Sequence, residues 1–195
     1  MLRLCFVLLL AGCASVPRAG LAAKQAPAGG SPSAAWRDVQ GRLLIRAPLH
    51  RISCRLVVDR DGLGRMRLVA LADEGPVLFD VACDGAGVVY TQTVEGMATA
   101  AEIAANVAWQ AWGPQAAQVG FWKDDVWLTQ DGGAERTYGG DPLLLRTVRG
   151  AGPDMEVGDY RRWQSGLLAY QAVAAGAGYT VRIELMDPRL PIVQE

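Results

Sequence analysis

Between Gly41 and Gln92 apolar side chains recur at every second position, and short runs of Asp and Gly cut the stretch at regular intervals. A period of two puts alternate side chains on opposite faces of an extended chain. Five antiparallel strands follow. Gly41 to Ala47 is the first. In the second, His50 to Val58, the residues Ile52, Cys54, Leu56 and Val58 alternate with Arg51, Ser53, Arg55 and Val57. Asp59 to Gly64 turns the chain by its Asp and Gly content. In the third, Arg65 to Ala72, Met66, Leu68 and Ala70 oppose Arg65 and Arg67. Asp73-Glu74-Gly75-Pro76 turns again, Val77 to Cys83 is the fourth strand, Asp84-Gly85 signals a hairpin, and Val88 to Gln92 is the fifth. One face of this meander is apolar and the other carries arginines into water.

The period then changes. Ala98 to Trp112 is rich in Ala and free of Gly and Pro. Met97, Ala101, Ala104, Ala108 and Trp112 fall on one side at helical spacing, with Ile103, Val107 and Ala111 beside them. This predicts an amphipathic helix over about 97–112, ended by Gly113-Pro114. Strand patterns resume at Val126 to Thr129, Arg136 to Tyr138, Leu143 to Arg149, Tyr160 to Trp163, Gly166 to Ala174 and Tyr179 to Met186. Gly150 to Asp159 reads as loop, and the tail from Asp187 to Glu195, with Pro188 and Pro191, as irregular. The fold class is therefore α+β, mostly β: a curved antiparallel sheet whose apolar face packs on a helix.

The N-terminus has its own character. Arg3 precedes the apolar run Leu4 to Leu10, which is far short of the roughly 20 residues that span a bilayer. It has the layout of a cleaved secretory signal. Leu10-Ala11-Gly12-Cys13 resembles a lipobox, the motif of bacterial lipoprotein precursors. That resemblance implies a signal peptide over 1–12, acylation of Cys13 and a membrane anchor. Ala14, rather than Asp, follows the cysteine; by resemblance to enteric lipoproteins this implies sorting to the outer membrane. Residues 13–35 are rich in Ala, Gly, Pro and Ser. As a flexible tether of about 22 residues they would reach roughly 25 Å. Residues 36–195 suffice for a single domain.

With Cys13 acylated, Cys54 and Cys83 remain as a pair. Two readings stand: a disulfide in an oxidising compartment, or two buried thiols kept apart by an intervening strand. The net charge is −1, which gives no basic footprint for nucleic acid. His50 is the sole histidine. On a strand it lies about 13 Å from Cys54, too far to share a metal. No Gly-x-Ser-x-Gly elbow and no phosphate loop occur. Asp80, Asp124 and Asp125 read as solvated or turn-forming carboxylates. No catalytic residue, cofactor or metal is expected.

The order of these elements resembles the LolA/LolB superfamily, and most closely the proteobacterial outer-membrane lipoproteins of that fold. The resemblance rests on the lipobox and tether, the Gly41-Arg42-Leu43-Leu44-Ile45-Arg46 strand, Gly75 to Asp80, the helix end Ala108 to Pro114, and Gly178 to Ile183. It covers most of 36–187. It implies a half-barrel sheet and a hydrophobic cavity, between sheet and helix, that holds lipid or lipoprotein acyl chains. The expected occupation is a non-enzymatic carrier or acceptor on the periplasmic face of the outer membrane; the other reading is a structural lipoprotein scaffolding an envelope complex. Phe79, Tyr90, Trp109, Trp112 and Trp127 are the residues expected to line the cavity, or else to fill the core.

Overall fold

A computed structural model describes residues 24–25, 36–114, 119–131, 133–150, 152–163 and 166–186. The lipobox with Cys13, most of the expected tether and the tail from Asp187 onward lie outside the described residues.

The strands are β1 (Lys24–Gln25), β2 (Trp36–Ala47), β3 (His50–Arg60), β4 (Met66–Leu71), β5 (Val77–Asp84) and β6 (Gly87–Thr93). Helix α1 (Ala98–Trp112) follows. Then come β7 (Val119–Lys123), β8 (Val126–Asp131), β9 (Ala134–Gly139), β10 (Leu144–Arg149), β11 (Asp154–Trp163), β12 (Gly166–Gly176) and β13 (Tyr179–Leu185). Among the described residues they form one thirteen-stranded sheet, ordered β1-β7-β8-β9-β10-β11-β12-β13-β2-β3-β4-β5-β6. Every pairing is antiparallel. Two meanders, β2–β6 and β7–β13, thus meet at a seam where Leu43 faces Ile183 and Ile45 faces Val181.

The alternation read from the sequence is the burial pattern. Cys54, Leu56 and Val58 of β3, Met66, Leu68 and Ala70 of β4, and Phe79 and Val81 of β5 are buried. Arg51, Arg55, Arg65 and Arg67 are exposed on the other side. Helix α1 lies across the apolar face against β5, β6, β12 and β13, and so bridges the seam. Its buried side is mostly alanine, with Ala101, Ala104, Ala105 and Ala108 fully buried. Two contacts fix its seating. The Trp112 indole N–H donates to the Ala169 carbonyl at 2.8 Å, and the Cys83 thiol lies 3.8 Å from the Ala105 carbonyl. The helix stops where Gly113 N–H donates to the Trp109 carbonyl (2.8 Å). A Cβ on Gly113 would stand 2.4 Å from that same oxygen, so the stop requires glycine.

The structure departs from the sequence expectations in four places. Trp36 to Gln40 belongs to β2, but a register shift between Trp36 and Val39 breaks the alternation there. Asp38 sits at φ 53° in that shift, and its N–H donates to the Asp59 carboxylate at 2.7 Å. Residues 154–159, expected as loop, open β11 and are paired on both sides, Met155 with Val148 and with Ala174. Strand β7 was not anticipated, since its Val-Gly-Phe-Trp-Lys sequence has no apolar alternation. Lys24 and Gln25, within the expected tether, pair with Gly120 and Val119.

The disulfide is not formed: Cys54 and Cys83 are free and buried. Strand β4 stands between them. Cys83 faces Met66, and Met66 faces Arg60, six positions along β3 from Cys54. Strand spacing and rise put the two cysteines roughly 20 Å apart, where a bridge needs Cα atoms within about 7 Å.

Candidate functional site

Where α1 meets β5, β12 and β13, alanines on both sides let backbone approach backbone. Toward β9 and β10 the curved sheet leaves the helix, and the gap between them is a cavity of about 240 Å³. Its walls are Val107 from the helix, Ala134 from β9, Val148 from β10, Met155 from β11 and Ala174 from β12. These five are buried. Asn106, Gln110 and Arg149 add polar groups at its boundary, and the Gly152-Pro153 turn forms part of its lip. Arg136 Nη2 donates to Gln110 Oε1 at 2.7 Å, tying the helix to β9. The combination is an apolar pocket with a few convergent polar groups, which suits an amphiphile with one oily part.

None of the five aromatic residues expected from the sequence lines this cavity. Phe79 is fully buried on β5, within the core. Trp112 is core too, committed to the Ala169 carbonyl. Trp109 is half-buried beside the β5–β6 turn, where a Cβ on Gly85 would meet its ring at 3.5 Å. Tyr90 is 39% exposed on β6, and its hydroxyl donates to the Ala98 carbonyl at 3.3 Å. Trp127 is buried, but on β8 near the far end of the sheet. It packs edge-on to Trp122 with ring centroids 5.5 Å apart. It also lies over Gly120, whose Cβ would come within 2.8 Å of its ring. The five therefore serve core, helix border and far strand separately, and this cavity is built without them. The buried part of this cavity's lining is small and aliphatic. Its sequence signal was the alternation Met155-x-Val157, concealed inside a stretch that Pro153 and the glycines made look like loop.

Asp80 is also corrected. It is buried, and its carboxylate accepts from Arg67 Nε (2.9 Å) and Nη2 (2.6 Å) in a forked pair. Asp124 and Asp125 are exposed turn residues at φ 47° and 62°, as their composition suggested. His50 is exposed at the β2–β3 turn. No group of three or more His, Cys, Asp or Glu that could hold a metal ion occurs among the described residues. No helix among them is long and apolar enough to cross a membrane. Burial, and then the charge of Asp73, pushes the Cys54 thiol up to about 11. Burial, and then Asp84, pushes Cys83 up to about 12. Neither thiol is poised for nucleophilic chemistry.

Comparison with known proteins places the fold. No protein-family model matches the chain. No curated protein sequence matches it either. Among solved structures, it is similar to a LolA superfamily protein from Nitrosomonas europaea, at TM-score 0.50 and 12% identity over 82% of this chain and 89% of that one. A Vibrio parahaemolyticus domain assigned to outer membrane lipoprotein sorting aligns at TM-score 0.48 and 10% identity, over 80% of this chain and 86% of that one. The open curved sheet with its helix is thus a LolA-like half-barrel.

Proposed function

We propose that this domain binds an acyl chain of a lipid or lipoprotein between α1 and strands β9–β12. In this reading it is a non-enzymatic carrier or acceptor, held on the periplasmic face of the outer membrane by an acylated Cys13. The observation that carries the reading is the cavity of about 240 Å³ with five apolar walls and polar groups at its boundary. Burial of chain in such a pocket contributes about 0.8 kcal/mol per methylene. The LolA-like fold supports the same reading. The cavity falls below the ~300–1,000 Å³ of ordinary ligand pockets, so it accommodates part of one chain rather than several chains at once.

The test is binding of a fluorescent fatty acid to the full chain bearing Cys13→Ser, compared with the same chain bearing Ala174→Phe. Phenylalanine at 174 fills the cavity from β12. Binding is expected to fall at least about tenfold, the equivalent of losing roughly two buried methylenes. Unchanged binding by a variant with native circular dichroism would remove the cavity from consideration. A scaffold role is the second reading, favoured by the exposed Val89 (68%) and Val94 (41%) at the free β6 side of the sheet. A chain that binds no fatty acid or phospholipid at all would support it.

A further inference from the structure

The outer face of the β2–β3 hairpin holds four arginines in two opposed pairs. Register sets Arg42 opposite Arg55 and Arg46 opposite Arg51, with Leu44 and Ser53 between them. All four arginines are exposed. Directly opposed side chains on antiparallel strands stand about 4.5–5.5 Å apart at Cβ, where like charges repel. The two pairs are about 13 Å apart along the hairpin.

Most neighbouring arginines are neutralised within the fold. Arg65 pairs with Asp61, Arg67 with Asp80, Arg161 with Asp159 and Arg182 with Glu184. The four hairpin arginines are different: among the described residues none makes an ion pair or hydrogen bond. The carboxylate that register brings to them is Glu184, opposite Arg42, and it is bound to Arg182. A chain of net charge −1 has therefore gathered four unneutralised positive charges on one two-stranded surface. The turn joining the two strands carries Leu49, 87% exposed, between Arg46 and Arg51.

We infer that this face docks on the phosphate headgroups of an anionic lipid bilayer. Guanidinium groups bind phosphate through paired N–H donors. Cations gathered on one exposed face meet the phosphates of a bilayer surface, and the apolar Leu49 at the hairpin's end is compatible with the headgroup–acyl boundary. An acidic protein would satisfy the arginines but gives no account of that leucine. The inference is independent of the cavity, since the array lies on the opposite side of the sheet from α1. It assigns the hairpin a contact that orients the domain on a membrane.

The experiment is co-sedimentation of the full chain bearing Cys13→Ser, so that no acyl anchor holds it. Vesicles of phosphatidylcholine are compared with mixed vesicles containing about one-third phosphatidylglycerol, whose surface attracts basic residues. The chain is expected to prefer the anionic vesicles, and to lose that preference as salt is raised. Each Arg→Gln change at 42, 46, 51 or 55 should lower partition roughly fivefold, and the fourfold Gln variant should not distinguish the two vesicles. The fourfold Arg→Lys variant should keep the preference, which separates lost charge from a damaged hairpin. Equal partition of the unaltered chain, or a preference that survives the fourfold Gln change, would overturn the inference. So would indifference to phosphatidylglycerol together with arginine-dependent retention on immobilised polyglutamate, which would assign the face to an acidic protein.

Discussion

Cys54 and Cys83 stand in apolar surroundings that penalise a thiolate, and their ionisation is displaced from the ordinary value near 9 to about 11 and about 12. A thiol raised on folding keeps its proton in the native state after the unfolded chain has lost it. The unfolded chain then binds fewer protons, so stability declines with rising pH. The contribution is intact below about pH 9 and is lost as pH climbs through 11 to 12. Urea midpoints measured across that range should fall for the native sequence and fall less for Cys54→Ala/Cys83→Ala. A thiol reagent at neutral pH should label neither cysteine until urea is added; prompt labelling of the folded chain would contradict their burial. The intervening strand that keeps these cysteines apart was legible in the sequence, but the choice between bridge and free thiols was not, because it depends on register across β4 rather than on spacing along the chain. Asp80 was misread for a related reason: its partner Arg67 is 13 positions away and meets it only through the β4–β5 pairing.

Helix α1 shows how much an element's packing depends on small residues. Ala104, Ala105 and Ala108 are fully buried. Enlarging Ala108 to Leu drives methylenes into closed space, which costs about 1–3 kcal/mol in a well-packed core. Equilibrium urea denaturation should show the loss, and an unchanged midpoint would mean that the helix rides on the sheet loosely. The helix was legible in full, because its apolar stripe and the Gly113-Pro114 stop are local signals. So were β3, β4 and β5, where period two runs unbroken. The first part of strand β11, before Tyr160, was not, because Pro153 and Gly158 are turn residues by composition while Met155 and Val157 are held extended by neighbours on both sides. The start of β2 was hidden by the shift at Asp38, which places two consecutive polar residues where alternation would need an apolar one.

The helix covers β5, β6, β12 and β13, whereas β7 and β8 lie beyond it. Stability should therefore be uneven. Local opening is cheapest where few buried apolar contacts hold the backbone. Amide exchange is expected to be slowest in β2, β3, β12 and β13 and fastest in β7 and β8, and uniform protection across the sheet would contradict that division. The cavity belongs to the same geometry. It takes its walls from α1, β9, β10, β11 and β12, so no window of sequence contains it, and large aromatic residues drew attention to the core instead. The seam has a further consequence. Strand β2 and strand β13 are the first and last of the long strands, yet they are neighbours at the centre of the sheet. While the polypeptide is being synthesised, β2 waits beside an empty place until β13 leaves the ribosome. A nascent chain lacking β13 holds two separate half-sheets with two additional open edges, and they join only once residues 179–185 are available to pair.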